Sequence, residues 1–189
     1  MKYYSPLLLS LLLFSCSEKK AENYVREKIN FNEYWTFNYY PDSEIREECT
    51  SAEFNDKSWP AVSLPHTWQT FETTGEEHPF IFNPSERDDP YWWKGWGYYR
   101  KSFTVKRELE GKHIELVFDG VQKYSKIYLN GKLIEEHKGG YNSFYIDMTP
   151  HLSYGKENVL VVVVSNRRDD VFRIPPMTAG NFNVYGGIY

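Results

Sequence analysis

From Ile29 to Tyr189 the chain alternates short apolar runs with turn-forming residues. No long stretch places apolar residues at the i, i+3, i+4 and i+7 positions of an amphipathic helix, so helices are expected to be minor. Residues 98–105 (YYRKSFTV) and 143–148 (SFYIDM) instead contain the aromatic and β-branched residues typical of strands. The pattern predicts an all-β domain in which repeated short strands form two packed sheets, as in a sandwich or a jelly roll.

Three further segments carry clear strand or turn patterns. Residues 113–118 (HIELVF) alternate so that Glu115 points one way and a set of apolar residues points the other way: Ile114, Leu116 and Phe118. The Asn130-Gly131 pair in KIYLNGKLIEE supplies the two positive-φ residues of a type I′ hairpin turn. Residues 158–166 (NVLVVVVSN) are apolar on both faces, which predicts a central strand covered on both sides.

Residues 55–68 (NDKSWPAVSLPHTW) have a different pattern. Pro60 and Pro65 oppose a regular strand or helix, because proline lacks a backbone N–H and has a fixed φ. We therefore expect an irregular wrap that is pinned to the domain by Trp59 and Trp68.

The last four residues predict a turn that leads into a new strand. Glycine at 186 and 187 tolerates unusual backbone angles, and Ile188 next to Tyr189 favours an extended chain. A domain rarely ends where a strand begins, which raises the question of whether catalytic sequence follows.

The N-terminus resembles a bacterial lipoprotein signal. A basic start at Lys2 is followed by an apolar stretch, residues 6–14, that is shorter than the roughly 20 residues needed to span a bilayer. Leu13 to Cys16 (LFSC) resembles a lipobox, in which the signal is cut before the cysteine and the sulfur is lipidated. Phe14 departs from the small or aliphatic residues that are commoner at its position.

We therefore expect residues 1–15 to be a signal peptide, Cys16 to carry a lipid anchor, and the charged residues 16–28 to form a solvated tether. This predicts a protein anchored in the cell envelope, with Cys49 unpaired and no disulfide in the mature domain. The alternative is an ordinary secretory signal that is cut a few residues later.

Composition limits the partners and the domain count. The net charge is −4 and no basic block is present, so nucleic-acid partners are not expected. A chain of 189 residues has room for one domain but not for an additional (β/α)₈ barrel of roughly 250 residues. The aromatic content of 18% favours all-β packing or a surface that stacks on flat ligands.

The motifs contain no clear catalytic site. The five histidines are far apart, without H-x-H or H-E-x-x-H spacing, and Cys49 is isolated, so neither a metal nor a cofactor is expected. The sequence also lacks a G-x-S-x-G elbow and a phosphate-binding glycine loop. Asp88-Asp89 and Asp169-Asp170 are candidates for a glycosidase carboxylate pair, but each doublet lies in a polar loop, where carboxylates are usually solvated.

A sugar-binding surface is the remaining possibility. Residues 88–99 (DDPYWWKGWGYY) contain six aromatic rings, more than one sandwich face easily buries. Sugar C–H faces pack on indoles, and their hydroxyls bind Asn, Asp and Arg side chains, which residues 166–183 supply. The aromatic rings either form such a surface or seal the edge of the sandwich, and the sequence leaves both interpretations open.

Five segments in a fixed order resemble the N-terminal sugar-binding domain of glycoside hydrolase family 2, the β-galactosidase and β-glucuronidase family. They are FNDKSWPAVSLPHTW, GYYRKSF, FDGVQKYSKIYLNGKLIEEHKGGYNSFYIDMTPHL, NVLVVVVSN and NFNVYGGIY. The resemblance implies a galactose-binding-domain-like jelly-roll β-sandwich over residues 29–189. In complete members an immunoglobulin-like sandwich follows, and then a (β/α)₈ barrel with two catalytic glutamates.

The resemblance also implies which residues contact the sugar. In the family the loop before GGIY reaches into the barrel's active site, where an acidic residue commonly contacts substrate hydroxyls and in some β-galactosidases helps to hold a monovalent cation. Alignment back from Gly187 places Asn181 at that position, with Arg173 and Asn183 as further candidates on the same loop. An amide exchanges hydrogen bonds but lacks the charge that helps to bind a cation, so no metal site is expected.

Two functions from different classes follow. The first is a β-galactosidase-like glycosidase of which this chain is the N-terminal, sugar-binding part, with a β-glycoside and the barrel of the complete protein as partners. In the family GGIY continues into a further strand, so this interpretation implies a truncated chain that is inactive alone. The second is a stand-alone, lipid-anchored carbohydrate-binding or scaffolding module without catalysis. Sequence beyond Tyr189 would distinguish the two functions.

Overall fold

The computed structural model describes residues 26–40, 44–68, 95–166 and 186–189. Residues 26–30 belong to a first unit and have no regular structure, whereas the strands belong to a second unit, Phe31–Tyr189. In order, strands β1 to β11 are Trp35–Tyr40, Ala61–Val62, His66–Thr67, Trp96–Thr104, Glu115–Phe118, Val121–Gln122, Tyr124–Leu129, Lys132–Lys138, Phe144–Asp147, Glu157–Ser165 and Gly187–Ile188. Three 3₁₀ turns lie wholly within the described residues: Glu47–Thr50, Arg107–Leu109 and Thr149–His151.

The strands form three sheets, and all pairs of named strands are antiparallel. A six-stranded sheet has the order β2-β1-β4-β10-β7-β8, a three-stranded sheet the order β3-β11-β6, and a two-stranded sheet pairs β5 with β9. This all-β arrangement confirms the predicted sandwich class and is compatible with a jelly roll.

The main core lies between the six-stranded sheet and the two smaller sheets. The large sheet contributes buried residues such as Phe37, Tyr99 and Leu160, and the smaller sheets contribute buried residues such as Leu116 and Ile188. A second buried cluster covers the other face of the large sheet, where Cys49 and Trp59 pack with Tyr98 and Val161. Both faces of the large sheet are therefore covered.

The local predictions are confirmed. Strand β10 is central, and Val159 to Val164 are all buried, with alternate side chains in the two clusters. Strand β5 has the predicted alternation, since Leu116 and Phe118 are buried and Glu115 is exposed. Asn130 and Gly131 have φ values of 54° and 77° in the turn between β7 and β8.

The predicted wrap, residues 55–68, is largely irregular but contains two strands of two residues each, β2 and β3. Strand β2 forms an edge of the six-stranded sheet, and strand β3 forms an edge of the three-stranded sheet. Trp59 and Trp68 are 7% and 0% exposed, so both tryptophans pin the segment as predicted.

Candidate functional site

The candidate site is the base of the candidate sugar loop, residues 167–185, where this segment joins the sandwich. Asn166 is the last described residue before residues 167–185, and Gly186 is the first after them. Asn166 directly follows β10 of the six-stranded sheet, and Gly186 directly precedes β11 of the three-stranded sheet. The segment therefore begins at one sheet and ends at another.

One short stretch of chain, residues 122–124, joins the two ends. Gly187 is the register partner of Gln122, and Ser165 is the register partner of Tyr124. Between them the Lys123 backbone N–H donates to the Ser165 carbonyl at 2.9 Å. Because residues 122–124 pass from β6 to β7, they fix the two ends of the loop relative to each other.

The ends of a second segment, residues 69–94, lie at the same place. The Gly95 backbone N–H donates to Oδ1 of Asn166 at 3.2 Å. On the other side, Oγ1 of Thr67 donates to the Gly186 carbonyl at 2.7 Å. The indole of Trp68 packs so closely on Gly186 that a Cβ there would lie 1.9 Å from two ring carbons. Trp68, Gly95, Asn166 and Gly186, which border the two segments, therefore meet at one edge of the sandwich.

Polar side chains are buried at this edge. Gln122 and Ser165 are 0% exposed, Asn166 is 1% exposed and Lys123 is 2% exposed. Buried polar groups are costly without hydrogen bonds, so burial of four together indicates an ordered arrangement rather than a loosely packed surface.

The end of the chain is held tightly beside them. Tyr189 and Gly120 exchange two backbone hydrogen bonds, of 3.0 and 2.9 Å. The Tyr189 hydroxyl donates to the Gly140 carbonyl at 2.8 Å. A Cβ on Gly120 would lie 2.6 Å from the Tyr189 ring, so the absence of a side chain there allows the ring to fit. The predicted strand start at Gly186 to Tyr189 is confirmed as β11.

His66, in the neighbouring strand β3, is neutral in the physiological range. Burial lowers its pKa to about 4, and its Nδ1 lies 2.8 Å from the Tyr99 hydroxyl. Burial also raises the pKa of Tyr99 well above its ordinary value. The imidazole and the phenol are therefore both uncharged at neutral pH, next to strand β11.

Within the described residues, no three His, Cys, Asp or Glu side chains are grouped to hold a metal ion. The exposed His113 lies between Glu115 and Asp147, with N–O distances of 3.0 and 3.6 Å. These contacts raise its pKa, the hydrogen bond to Glu115 being the largest cause. No helix in the described part of the chain is long and apolar enough to cross a membrane.

The candidate site residues Cys16, Arg173, Asn181 and Asn183 lie outside the described residues, as do both aspartate doublets and Tyr91 to Trp93. The other three rings of the aromatic segment, Trp96, Tyr98 and Tyr99, are at most 4% exposed and seal the sandwich. For these three rings the packing interpretation is confirmed.

Sequence reasoning missed Gln122 and Lys123. Both follow Val121 in a polar stretch that would ordinarily be assigned to solvent. The available signal was their position between two strand patterns, Glu115–Phe118 and Tyr124–Leu129, where the chain crosses between sheets.

Comparison with known proteins agrees with this architecture. The model of the family described as "Glycosyl hydrolases family 2, sugar binding domain" matches residues 29–189. A beta-galactosidase from Thermoanaerobacter pseudethanolicus is 34% identical over 166 residues, which cover 87% of this chain and 20% of the relative. A beta-glucuronidase from Bacteroides fragilis is 30% identical over 181 residues, which cover 96% of this chain and 22% of the relative.

Among solved structures, the beta-glucuronidase of Bacteroides uniformis matches with a TM-score of 0.66 and 33% sequence identity. The match covers 84% of this chain and 16% of that structure. The chain thus spans between 16% and 22% of the length of these three proteins.

Proposed function

Because this chain belongs to glycoside hydrolase family 2 and matches its sugar-binding domain, we propose that it forms the N-terminal part of a β-galactosidase-like glycosidase. In this proposal the domain completes the substrate pocket of a (β/α)₈ barrel, which supplies the two catalytic glutamates. The substrate is a β-glycoside, whose glycosidic bond is hydrolysed between those two carboxyl groups.

The observation that carries the proposal is the loop base, in which strand pairing and backbone hydrogen bonds hold both ends of the segment. A loop that contacts substrate must be held to within a fraction of an ångström, because small displacements weaken hydrogen bonds and misalign reacting groups. Residues 122–124 bind both ends of the segment that contains Arg173, Asn181 and Asn183. Both ends of this segment are therefore anchored in the sandwich, which supports a substrate-contacting role for its polar residues.

The pocket role predicts a selective kinetic defect for Asn181→Ala in the complete protein. Loss of one substrate hydrogen bond costs about 0.5–1.5 kcal/mol of transition-state stabilisation, or roughly a 2- to 13-fold fall in kcat/KM. The melting temperature should be unchanged, because a loop residue outside the core changes stability by less than about 0.5 kcal/mol. Hydrolysis of aryl β-galactosides and β-glucuronides measures the first quantity, and thermal unfolding measures the second.

Two further variants sharpen this test. Asn181→Asp should restore the charge found in the family and make activity sensitive to sodium or potassium. Asn55→Ala, at an exposed asparagine outside the candidate loop, should leave kinetics unchanged. A lower melting temperature with intact kinetics in Asn181→Ala would identify a structural turn residue instead and remove Asn181 from the pocket.

We also propose that Cys16 anchors the protein in the cell envelope through lipid. The short apolar run that ends in LFSC supports this proposal. Cys16→Ser is expected to move the protein from the membrane fraction to the soluble fraction, or to leave the signal uncleaved, as measured by fractionation and intact mass. Cys49→Ser is the matched control, because that thiol is buried in the sandwich. Unchanged membrane partition of Cys16→Ser would contradict lipid anchoring.

A further inference from the structure

Gln122 combines complete burial with a central place in the loop base. The preceding residue of β6, Val121, points to the opposite face and belongs to the main core, whereas the Gln122 amide is buried beside Gly140 and Tyr189, where desolvation of an amide is costly. Such a residue is expected to have hydrogen bonds that fix its orientation, since apolar contacts are not directional and hydrogen bonds are.

The side chain of Gln122 contacts both Gly140 and the hydroxyl of Tyr189, which follows strand β11. Its amide packs directly on Gly140, where an added Cβ would lie 1.4 Å from Oε1. The Tyr189 hydroxyl, which donates to the Gly140 carbonyl, lies 3.4 Å from the same Oε1. A shift of this amide would therefore disturb Tyr189 and, through it, strand β11.

The backbone at Gln122 and Lys123 contacts both ends of segment 167–185. Gln122 is paired with Gly187, one residue from the loop's C-terminal end. The following residue, Lys123, donates to Ser165 next to the loop's N-terminal end, and its carbonyl accepts from Gly139 at 2.9 Å. The side chain of Gln122 thus contacts Tyr189 and Gly140, and its backbone pairs with Gly187 in the same strand as Ile188.

We propose that Gln122 is a positioning residue, whose buried amide fixes the two ends of segment 167–185 relative to each other. This inference rests on the proposed function, because the segment whose ends Gln122 fixes is the one proposed to contact substrate. It does not place Gln122 in contact with substrate.

The test compares Gln122→Met with Asn158→Leu in the complete protein. Each change replaces a fully buried amide with an apolar side chain of similar size. Asn158 lies at the opposite end of β10 from Ser165 and bonds to Asn130 and Ser153. The control therefore matches the chemistry of the substitution but not its location.

Amide hydrogen exchange should give a crossed result. Gln122→Met is expected to speed exchange at Lys123 and Tyr189 by at least about tenfold, because their backbone bonds lie at the loop base. It should leave the exchange rate at Asn130, whose backbone N–H donates to the Val159 carbonyl, unchanged. Asn158→Leu should give the reverse pattern. Unchanged exchange at Lys123 and Tyr189 in Gln122→Met, or the same pattern in both variants, would overturn the proposal.

Kinetics provide the second measurement. Gln122→Met should lower kcat/KM by at least about threefold at temperatures where the protein is fully folded, whereas Asn158→Leu should not. A crossed exchange pattern with unchanged kcat/KM would overturn the positioning role. An inactive wild-type protein would instead overturn the proposed function, and the exchange pattern would still decide whether Gln122 anchors the segment.

Discussion

Replacing Trp68 with alanine is expected to lower the free energy of unfolding by about 3–5 kcal/mol. The indole is 0% exposed and forms part of the main core. It stacks on Phe37 with ring centroids 6.0 Å apart and lies 5.8 Å from the ring of Tyr39. Truncation would remove these contacts and leave a cavity next to the loop base. Urea unfolding of the chain measures the loss.

The partner of this indole makes the prediction sharper. Gly186 lies directly against the ring of Trp68. Its small size is required because a Cβ would lie 1.9 Å from carbons of Trp68. Gly186→Ala should therefore lower the free energy of unfolding by roughly 1–3 kcal/mol when Trp68 is present. The same change should lower it much less in a Trp68→Ala background. This double-mutant cycle detects coupling between contacting residues. An equal loss of stability in both backgrounds would therefore show that glycine at 186 is needed for a reason other than its contact with Trp68.

The strands could be predicted because their signals are local. The alternation in β5, the Asn130-Gly131 turn and the two-sided apolar run of β10 each depend on residues a few positions apart. Backbone sterics and burial of a single face determine such features, and tertiary contacts reinforced them here.

The arrangement of the smallest strands could not be predicted in the same way. Strands β3, β6 and β11 have two residues each, and β11 pairs with β3 across more than a hundred residues of sequence. Two residues carry no measurable alternation, so only the packed structure specifies these pairs. The loop base depends on them, which is why its bridging residue Gln122 escaped sequence reasoning.

The burial of the two consecutive charges in YYRKSF could not be predicted from the sequence either. Charged residues are rarely buried unless they are paired, yet Arg100 and Lys101 are 2% and 8% exposed. The ammonium group of Lys101 donates to the Glu33 carbonyl and lies 4.6 Å from the Phe31 ring centroid. Burial is the main cause that lowers its pKa. Both side chains are held by segments that pack on the large sheet, and no local pattern identifies those partners.

Replacing Arg100 with methionine should lower the free energy of unfolding by about 3–5 kcal/mol, because it removes several hydrogen bonds from a buried, charged donor that holds the segment over the outer face. Nη1 donates to the carbonyls of Cys49 and Ser51 at 2.7 and 3.0 Å. Nη2 donates to the Phe54 carbonyl at 3.3 Å, and Nε lies 3.3 Å from Oδ2 of Asp56. Without the guanidinium these acceptors would lose its hydrogen bonds, and the loss is costliest at the Cys49 carbonyl, where the bond is buried.

Cys49 reports on this segment directly. The thiol is 1% exposed, and burial is the main cause that raises its pKa to about 11, so it should react slowly with a disulfide reagent. In a Cys16→Ser background, Arg100→Met should speed the modification of Cys49 by at least about tenfold. Lys126→Met is the matched control: it removes the same charge from a half-exposed ion pair with Glu136, which contributes less than about 1 kcal/mol. If Cys49 stays equally protected in both variants, the apolar contacts of Trp59 and Tyr98 hold the segment, and Arg100 does not.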